Sequence, residues 1–277
     1  MLILLICVAY SNKTQNMQKT RHRIQFPKTD VDNLSQSETY FYIIESDGNK
    51  IKIRFHDYDK IYRIPCLYEQ LFYDRLKCTS PVKVTDILKK AVDQSNEEFC
   101  SLRVLDLGAG NGLVGEELKK YGVSRLVGVD IIPEAKEAME RDRPQYYDAY
   151  YIADFCNIDS DTQNEFESWS LNCLTTVAAL GFGDIPPKAF MNAFNIINQK
   201  GWVGFNIKES FLDETDQSGF SRMIRDLILS KYLDIYHLER YQHRLSIDGE
   251  PLFYFAIAGK KNADIPKEYL EKYLSDD

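Results

Sequence analysis

A doubly wound α/β chain is what this sequence predicts, with a mainly parallel sheet of about seven strands, an antiparallel hairpin at the C-terminal end and a small N-terminal hairpin and helical cap. Three observations carry that prediction. The stretch 104–115 reads as an apolar strand that ends in an acid and runs into glycines at alternate positions, Gly108, Gly110 and Gly112. Two further apolar runs, 126–130 and 150–154, each close on an aspartate. From residue 100 to about 230, strand-like and helix-like patterns alternate, as in successive βαβ units.

The first strand carries the most chemistry. A parallel strand that turns sharply into a helix while a ligand touches its backbone needs residues without Cβ, and the helix opening at Leu113 would aim free N–H groups at that ligand. The glycines can be parsed in two ways. Gly110, Gly112 and Gly115 fit Gly-x-Gly-x-x-Gly, the dinucleotide fingerprint, which keeps an NAD-binding oxidoreductase as an alternative. Leu105 and Leu107 flank Asp106 as strand residues, however, so the first tight-turn glycine should be Gly108, and read from there the dinucleotide pattern fails. The second strand, 126–130, closes on Asp130, whose carboxylate can accept from both hydroxyls of a ribose. The third ends at Asp154 and Phe155; alone, Asp154 reads as a loop or capping residue, and the ordered series gives it weight.

This series resembles motif I and the strands after it in class I S-adenosylmethionine-dependent methyltransferases, over roughly residues 100 to 261. The resemblance implies a Rossmann-like domain with S-adenosyl-L-methionine as cofactor. In that family Asp106 would sit near the amino-acid end of the cofactor, while Gly108, Ala109, Gly110, Asn111 and Gly112 would wrap its methionine and ribose portion. Asp130 and Ile131 would hold the ribose, Asp154 the adenine amino group and Phe155 the ring face, with Gly115 a packing glycine.

The remaining elements follow in order. A fourth strand is expected within 171–177, then a Gly- and Pro-punctuated loop, a helix from Pro187 to about Asn198, a fifth strand at 202–207 and a helix near 217–230. Runs 235–245 and 252–258, joined by an Asp-Gly loop, read as the closing hairpin. Before the core, 40–45 and 50–56 alternate as a hairpin around Ser46–Asn49. An aromatic helical stretch (Tyr62 to Leu76) follows, then a helix with Ser80 as N-cap and Pro81 at its first position. The expected organisation is a tail over 1–33, a cap over 34–98, the methyltransferase domain over 99–262 and a C-terminal tail over 263–277.

Composition narrows the function. The chain has 277 residues and a formal charge of −8, with a pI near 5.2. That balance argues against a nucleic-acid backbone as partner, because phosphate binding needs concentrated Lys and Arg. No Asn-Pro-Pro-Tyr-like tetrapeptide follows the fourth strand. The six cysteines show no metal-ligand spacing, so no metal is expected and reduced thiols in a cytoplasmic protein are the default. The apolar opening 1–10 is too short to span a bilayer, and Met17 is a second candidate start. A small-molecule methyl acceptor is the expected partner. Methyl transfer depends on alignment and exclusion of water, so the pattern names no catalytic base. Tyr62, Tyr68, Phe182 and Asp184 are the candidates for the acceptor pocket, with the cap as lid. His56, His237 and His243 are possible bases by chemistry alone, and as strand residues with polar neighbours they are expected to be exposed. A cofactor-binding scaffold without turnover is the reading from outside enzymology.

Overall fold

Residues 20–27, 38–181, 184–213 and 218–271 are described by the structure, a computed structural model. The N-terminal part is a three-stranded antiparallel sheet of β1 (Ile24–Gln25), β2 (Tyr40–Ile44) and β3 (Lys50–Arg54). The segment expected as a tail thus supplies a strand, because Ile24 and Gln25 pair with Ile43 and Tyr42 on the edge of the hairpin. Helix α1 (Tyr58–Arg63) and a seven-residue π-helical stretch, Glu69–Arg75, pack Ile61, Leu71 and Phe72 against Phe41, Ile53 and Phe55. Burial of these side chains gives the cap an apolar core of its own.

Helix α2 (Ser80–Gln94) belongs elsewhere than expected. It lays Val84, Ile87, Leu88 and Ala91 on the large sheet, with Leu88 3.2 Å from where a Cβ would stand at Gly204. Its N-cap is Thr79, not Ser80. The Ser80 hydroxyl is turned inward to Tyr241 and His243.

The large sheet follows: β4 (Arg103–Leu107), α3 (Leu113–Lys120), β5 (Arg125–Asp130), α4 (Pro133–Asp142), β6 (Ala149–Ile152), α5 (Ser160–Ser168), β7 (Cys173–Thr176), α6 (Pro187–Ile196), β8 (Trp202–Lys208), α7 (Phe220–Leu229), β9 (Leu233–Leu245) and β10 (Pro251–Lys261). Strand order is β6-β5-β4-β7-β8-β10-β9, with β4 to β8 parallel and β10 antiparallel between β8 and β9. This is a Rossmann-like arrangement with the last strand inserted antiparallel. Alternate residues of each central strand face opposite layers: Leu105, Val127 and Val203 meet Phe190 and Phe194 of α6, whereas Val104, Leu126 and Trp202 meet α2 and α3. Continuous apolar runs are what a sheet buried on both faces requires. Helix α5 had no sequence expectation; it buries Phe166 alone and starts at Asp159, whose carboxylate accepts from the Thr162 N–H at 2.8 Å. The segment 263–277, expected as a tail, places Ile265 in the core and begins α8 (Lys267–Glu271).

Candidate functional site

Strands β4, β5 and β7 all end at one edge of the sheet, where their loops diverge and leave a crevice. A cavity of about 580 Å³ occupies it. Gly108, Asp130, Ile131, Asp154 and Phe155 line the cavity on the sheet side, and His56, Tyr58, Tyr62 and Tyr68 of the cap cover it. Gly108 holds φ +71°, and a Cβ there would stand 2.7 Å from Ile185 Cδ1, so only glycine fits this turn. The Asp130 carboxylate accepts from the Gly110 N–H at 3.0 Å and the Ile132 N–H at 3.2 Å. Burial pushes its pKa up, and those backbone donors oppose the shift. The carboxylate stays at the cavity edge, within reach of a ligand hydroxyl. Asp154 spends its carboxylate partly on its own loop, accepting from the Cys156 N–H and the Asn157 amide at 2.8 Å each.

Several residues expected around a ligand lie elsewhere. Asp106 is fully buried beneath the turn, with Tyr147 donating to one carboxylate oxygen at 2.6 Å and Thr175 to the other at 2.8 Å. Desolvation raises its pKa to about 7. Room for Tyr147 comes from Gly115 and Gly128, where a Cβ would fall within 2.5–2.8 Å of its ring. Gly115 is therefore a packing glycine, but what it packs is the partner of Asp106. Ala109 is buried and bonds through its N–H to Val129. The space over Gly110 is filled by the Tyr62 hydroxyl, and Gly112 abuts Met139 and Tyr147. Asn111 donates to Glu69 of the cap at 2.8 Å. Arg143 fastens the same latch, bonding Glu69 and Glu116 at 2.8 Å each. The second half of the glycine turn thus holds the cap, and Gly108 faces the cavity.

On the cap side the rings of Tyr58, Tyr62, Tyr68 and Phe72 run as a contiguous aromatic series, with centroids 4.8–6.0 Å apart. Burial raises the pKa of Tyr58, Tyr62 and Tyr68, keeping all three protonated as donors. Asp184 lines the cavity as expected of it, and its carboxylate meets His56 Nδ1 at 3.0 Å. His56 lies just past the end of β3 and lines the cavity, contrary to the exposed position expected. His243 is buried, while His237 is on the surface, bonded to Gln94 at 2.9 Å. Phe182 lies outside the described residues.

Residues 105–205 match a family model described as a methyltransferase domain. That stretch of the chain is thus similar to a methyltransferase domain. No curated protein matches the sequence. Among solved structures, a candidate RNA methyltransferase from Pyrococcus horikoshii is 15% identical with a TM-score of 0.48, covering 65% of this chain and 84% of its own. The magnesium protoporphyrin IX methyltransferase of Synechocystis is 12% identical with a TM-score of 0.45, covering 66% and 79%. An S-adenosylmethionine-dependent methyltransferase from Mesorhizobium loti is 13% identical with a TM-score of 0.43, covering 62% and 96%.

The large sheet also brings to the cavity residues that the sequence did not single out. Ala178, just past β7, holds φ +57°, a conformation costly for a residue with a Cβ, and its N–H donates to Asn206 Oδ1 at 2.7 Å. The Asn206 amide reaches the Tyr241 hydroxyl at 2.7 Å, and Tyr241 reaches Ser80 at the same distance, so a buried chain of hydrogen bonds fixes this corner. A polar Asn inside the apolar strand 202–208 was the one available signal. Among the described residues no group of three or more His, Cys, Asp or Glu side chains could hold a metal ion. None of their helices is long and apolar enough to cross a membrane.

Proposed function

We propose that the protein is an S-adenosyl-L-methionine-dependent methyltransferase for a small-molecule acceptor. The observation that supports this most is the covered cavity itself, with Asp130 and Gly108 on its floor and cap aromatics above. Its volume is of the size that takes a cofactor and a small ligand. The cap residues His56, Tyr58, Tyr62 and Tyr68 cover the cavity, which favours a small acceptor over a polymer. The residues fit the cofactor at its nucleoside end: Asp130 offers its carboxylate to ribose hydroxyls, and Ile131 and Phe155 offer apolar surface to the base. Tyr62, seated on Gly110, takes space assigned by family pattern to the methionine portion, leaving Gly108 as the close-approach glycine.

When bound, S-adenosyl-L-methionine would supply an electrophilic methyl group on a sulfonium. This chain's own residues would orient the acceptor and exclude water, the two contributions that matter most for a displacement in line. His56, held by Asp184 through Nδ1, borders the cavity and is the group placed to take a proton from an acceptor hydroxyl or amine. The surrounding tyrosines stay protonated and can donate to that acceptor.

Isothermal titration tests the reading. S-adenosyl-L-methionine is expected to bind and NAD to give no heat. Asp130→Asn, which keeps an acceptor for the Gly110 N–H, is expected to weaken cofactor binding about ten- to a hundredfold through loss of a charge-assisted hydrogen bond. Alanine at this position would also orphan two backbone donors, so it tests the turn as much as the ligand. Binding of NAD in preference, or an Asp130→Asn isotherm like that of the wild type, would overturn the assignment.

A further inference from the structure

A small annex of about 40 Å³ opens off the main cavity. His56, Tyr58, Tyr68, Ala178 and Asp184 border both spaces, and the annex alone reaches Cys78, His243, Arg244 and Tyr254. Arg244 is 6% exposed. Of its five N–H donors, one bonds the Leu245 carbonyl at 2.8 Å, and the guanidinium carbon stands 5.5 Å from the Phe55 ring centroid. Among the described residues no carboxylate pairs with it. The acid on the annex wall, Asp184, is engaged by His56. A guanidinium taken out of water costs several kcal/mol unless an anion or a full set of acceptors meets it, and its planar fork matches a carboxylate.

Asp184, held by His56, is the one acid among the residues that line the annex. His243 bonds Ser80 through Nδ1 at 2.5 Å, and burial with the adjacent Arg244 drives its pKa well down, so it is neutral. Lys208 is likewise lowered, by burial first and by Arg244 second, which marks the corner as electropositive. The space is far smaller than the main cavity and admits one compact group, for which a planar carboxylate matches the guanidinium fork.

We propose that the annex binds the carboxylate of the methyl acceptor at Arg244, which makes the substrate class a small hydroxy- or amino-carboxylic acid whose nucleophile lies in the main cavity beside His56. The acceptor role rests on the methyltransferase reading; the anion site does not. Acetate, with acetamide as its uncharged isostere, is the probe at constant ionic strength. Acetate is expected to raise the melting temperature of the full chain and acetamide to leave it unchanged. In Arg244→Gln the acetate affinity should fall at least tenfold while S-adenosyl-L-methionine binds as before. Acetate should also act on top of saturating S-adenosylhomocysteine; if that ligand abolishes the acetate effect, the annex holds the cofactor's own carboxylate and the acceptor assignment fails. Equal responses to acetate and acetamide, or an undiminished response in Arg244→Gln, would overturn the site. Should Arg244→Gln fail to fold, electron density from wild-type crystals soaked in acetate decides, with the ion expected within hydrogen-bond reach of the guanidinium and its absence there counting against the proposal. Absence of S-adenosyl-L-methionine binding, by contrast, would remove the methyltransferase reading and leave the acetate result to stand by itself.

Discussion

Asp106 and Asp130 stand at neighbouring strand ends, and their surroundings separate them. Asp130 faces the cavity and is held by backbone donors, whereas Asp106 is sealed between Tyr147 and Thr175. With a folded-state pKa near 7 against an ordinary value near 4, Asp106 holds a proton in the folded protein that the unfolded chain has already released. Between about pH 4 and pH 7 the native state binds more protons than the unfolded one, so stability falls as pH rises, by on the order of 4 kcal/mol from this group. Asparagine is neutral, can donate to one hydroxyl and accept from the other, and removes that dependence. Melting temperatures of wild type and Asp106→Asn should therefore diverge in favour of the variant from pH 5 to pH 8; parallel curves would show that Asp106 is ionised in the fold. Which acid borders the cavity was legible for Asp130, since an apolar run closing on a carboxylate puts it at the sheet edge. The withdrawal of Asp106 was not, because Tyr147, the residue that claims it, sits in a loop with no periodic signal and needs the space left by two glycines on different elements.

Among the elements, the helices over the site repay the closest reading. The aromatic helical stretch expected over Tyr62 to Leu76 is met by the end of α1 and the π-helical stretch, but the seat of α1 was not legible, since nothing in the local pattern says that the Tyr62 hydroxyl fills the space over Gly110. Gly110 holds φ +54°, so alanine there would be strained by its backbone and would also collide with that hydroxyl. Gly110→Ala is expected to cost about 1–3 kcal/mol. Tyr62→Phe removes the nearest atom, so in urea unfolding the double variant should be more stable than the sum of the two single losses predicts. Strict additivity would mean that the ring is not seated on the turn. Strand β9 carries the other unreadable feature. In the pairing of β9 with β10, Leu252 faces Arg244 and Phe253 faces Gln242, so His243 is the extra residue of a β-bulge. Strand neighbours normally point to opposite faces, and the bulge lets His243 and Arg244 both turn inward. In sequence, Glu239 to Leu245 reads as ordinary alternation on an exposed strand, which is why the annex gave no signal.

For the molecule as a whole, βαβ order and the closing hairpin were readable because a two-faced parallel sheet demands continuous apolar runs at regular intervals. The division into cap and domain was readable only in part. Helix α2 has the amphipathic face of a cap helix and of a layer helix alike, and only the sheet it meets, with Gly204 opposite Leu88, decides between them. The seam between cap and hairpin is made of main-chain contacts: the Thr79 N–H bonds the His243 carbonyl at 2.9 Å, the Leu245 N–H bonds the Leu76 carbonyl at 2.6 Å, and the Thr79 hydroxyl bonds the Gln242 carbonyl across 163 residues of chain. Such closure is slow to achieve, since a long loop must be ordered before its contacts form. On the ribosome the glycine turn and Asp130 emerge early, and the seam that joins residue 76 to residue 245 can form only after residue 245 has been made. Cofactor should thus recognise a finished protein and give no help to a nascent one. In stopped-flow experiments, saturating S-adenosyl-L-methionine should slow unfolding while leaving the refolding rate within about twofold of its value without ligand. Acceleration of refolding would mean that the nucleoside end of the site forms ahead of the seam.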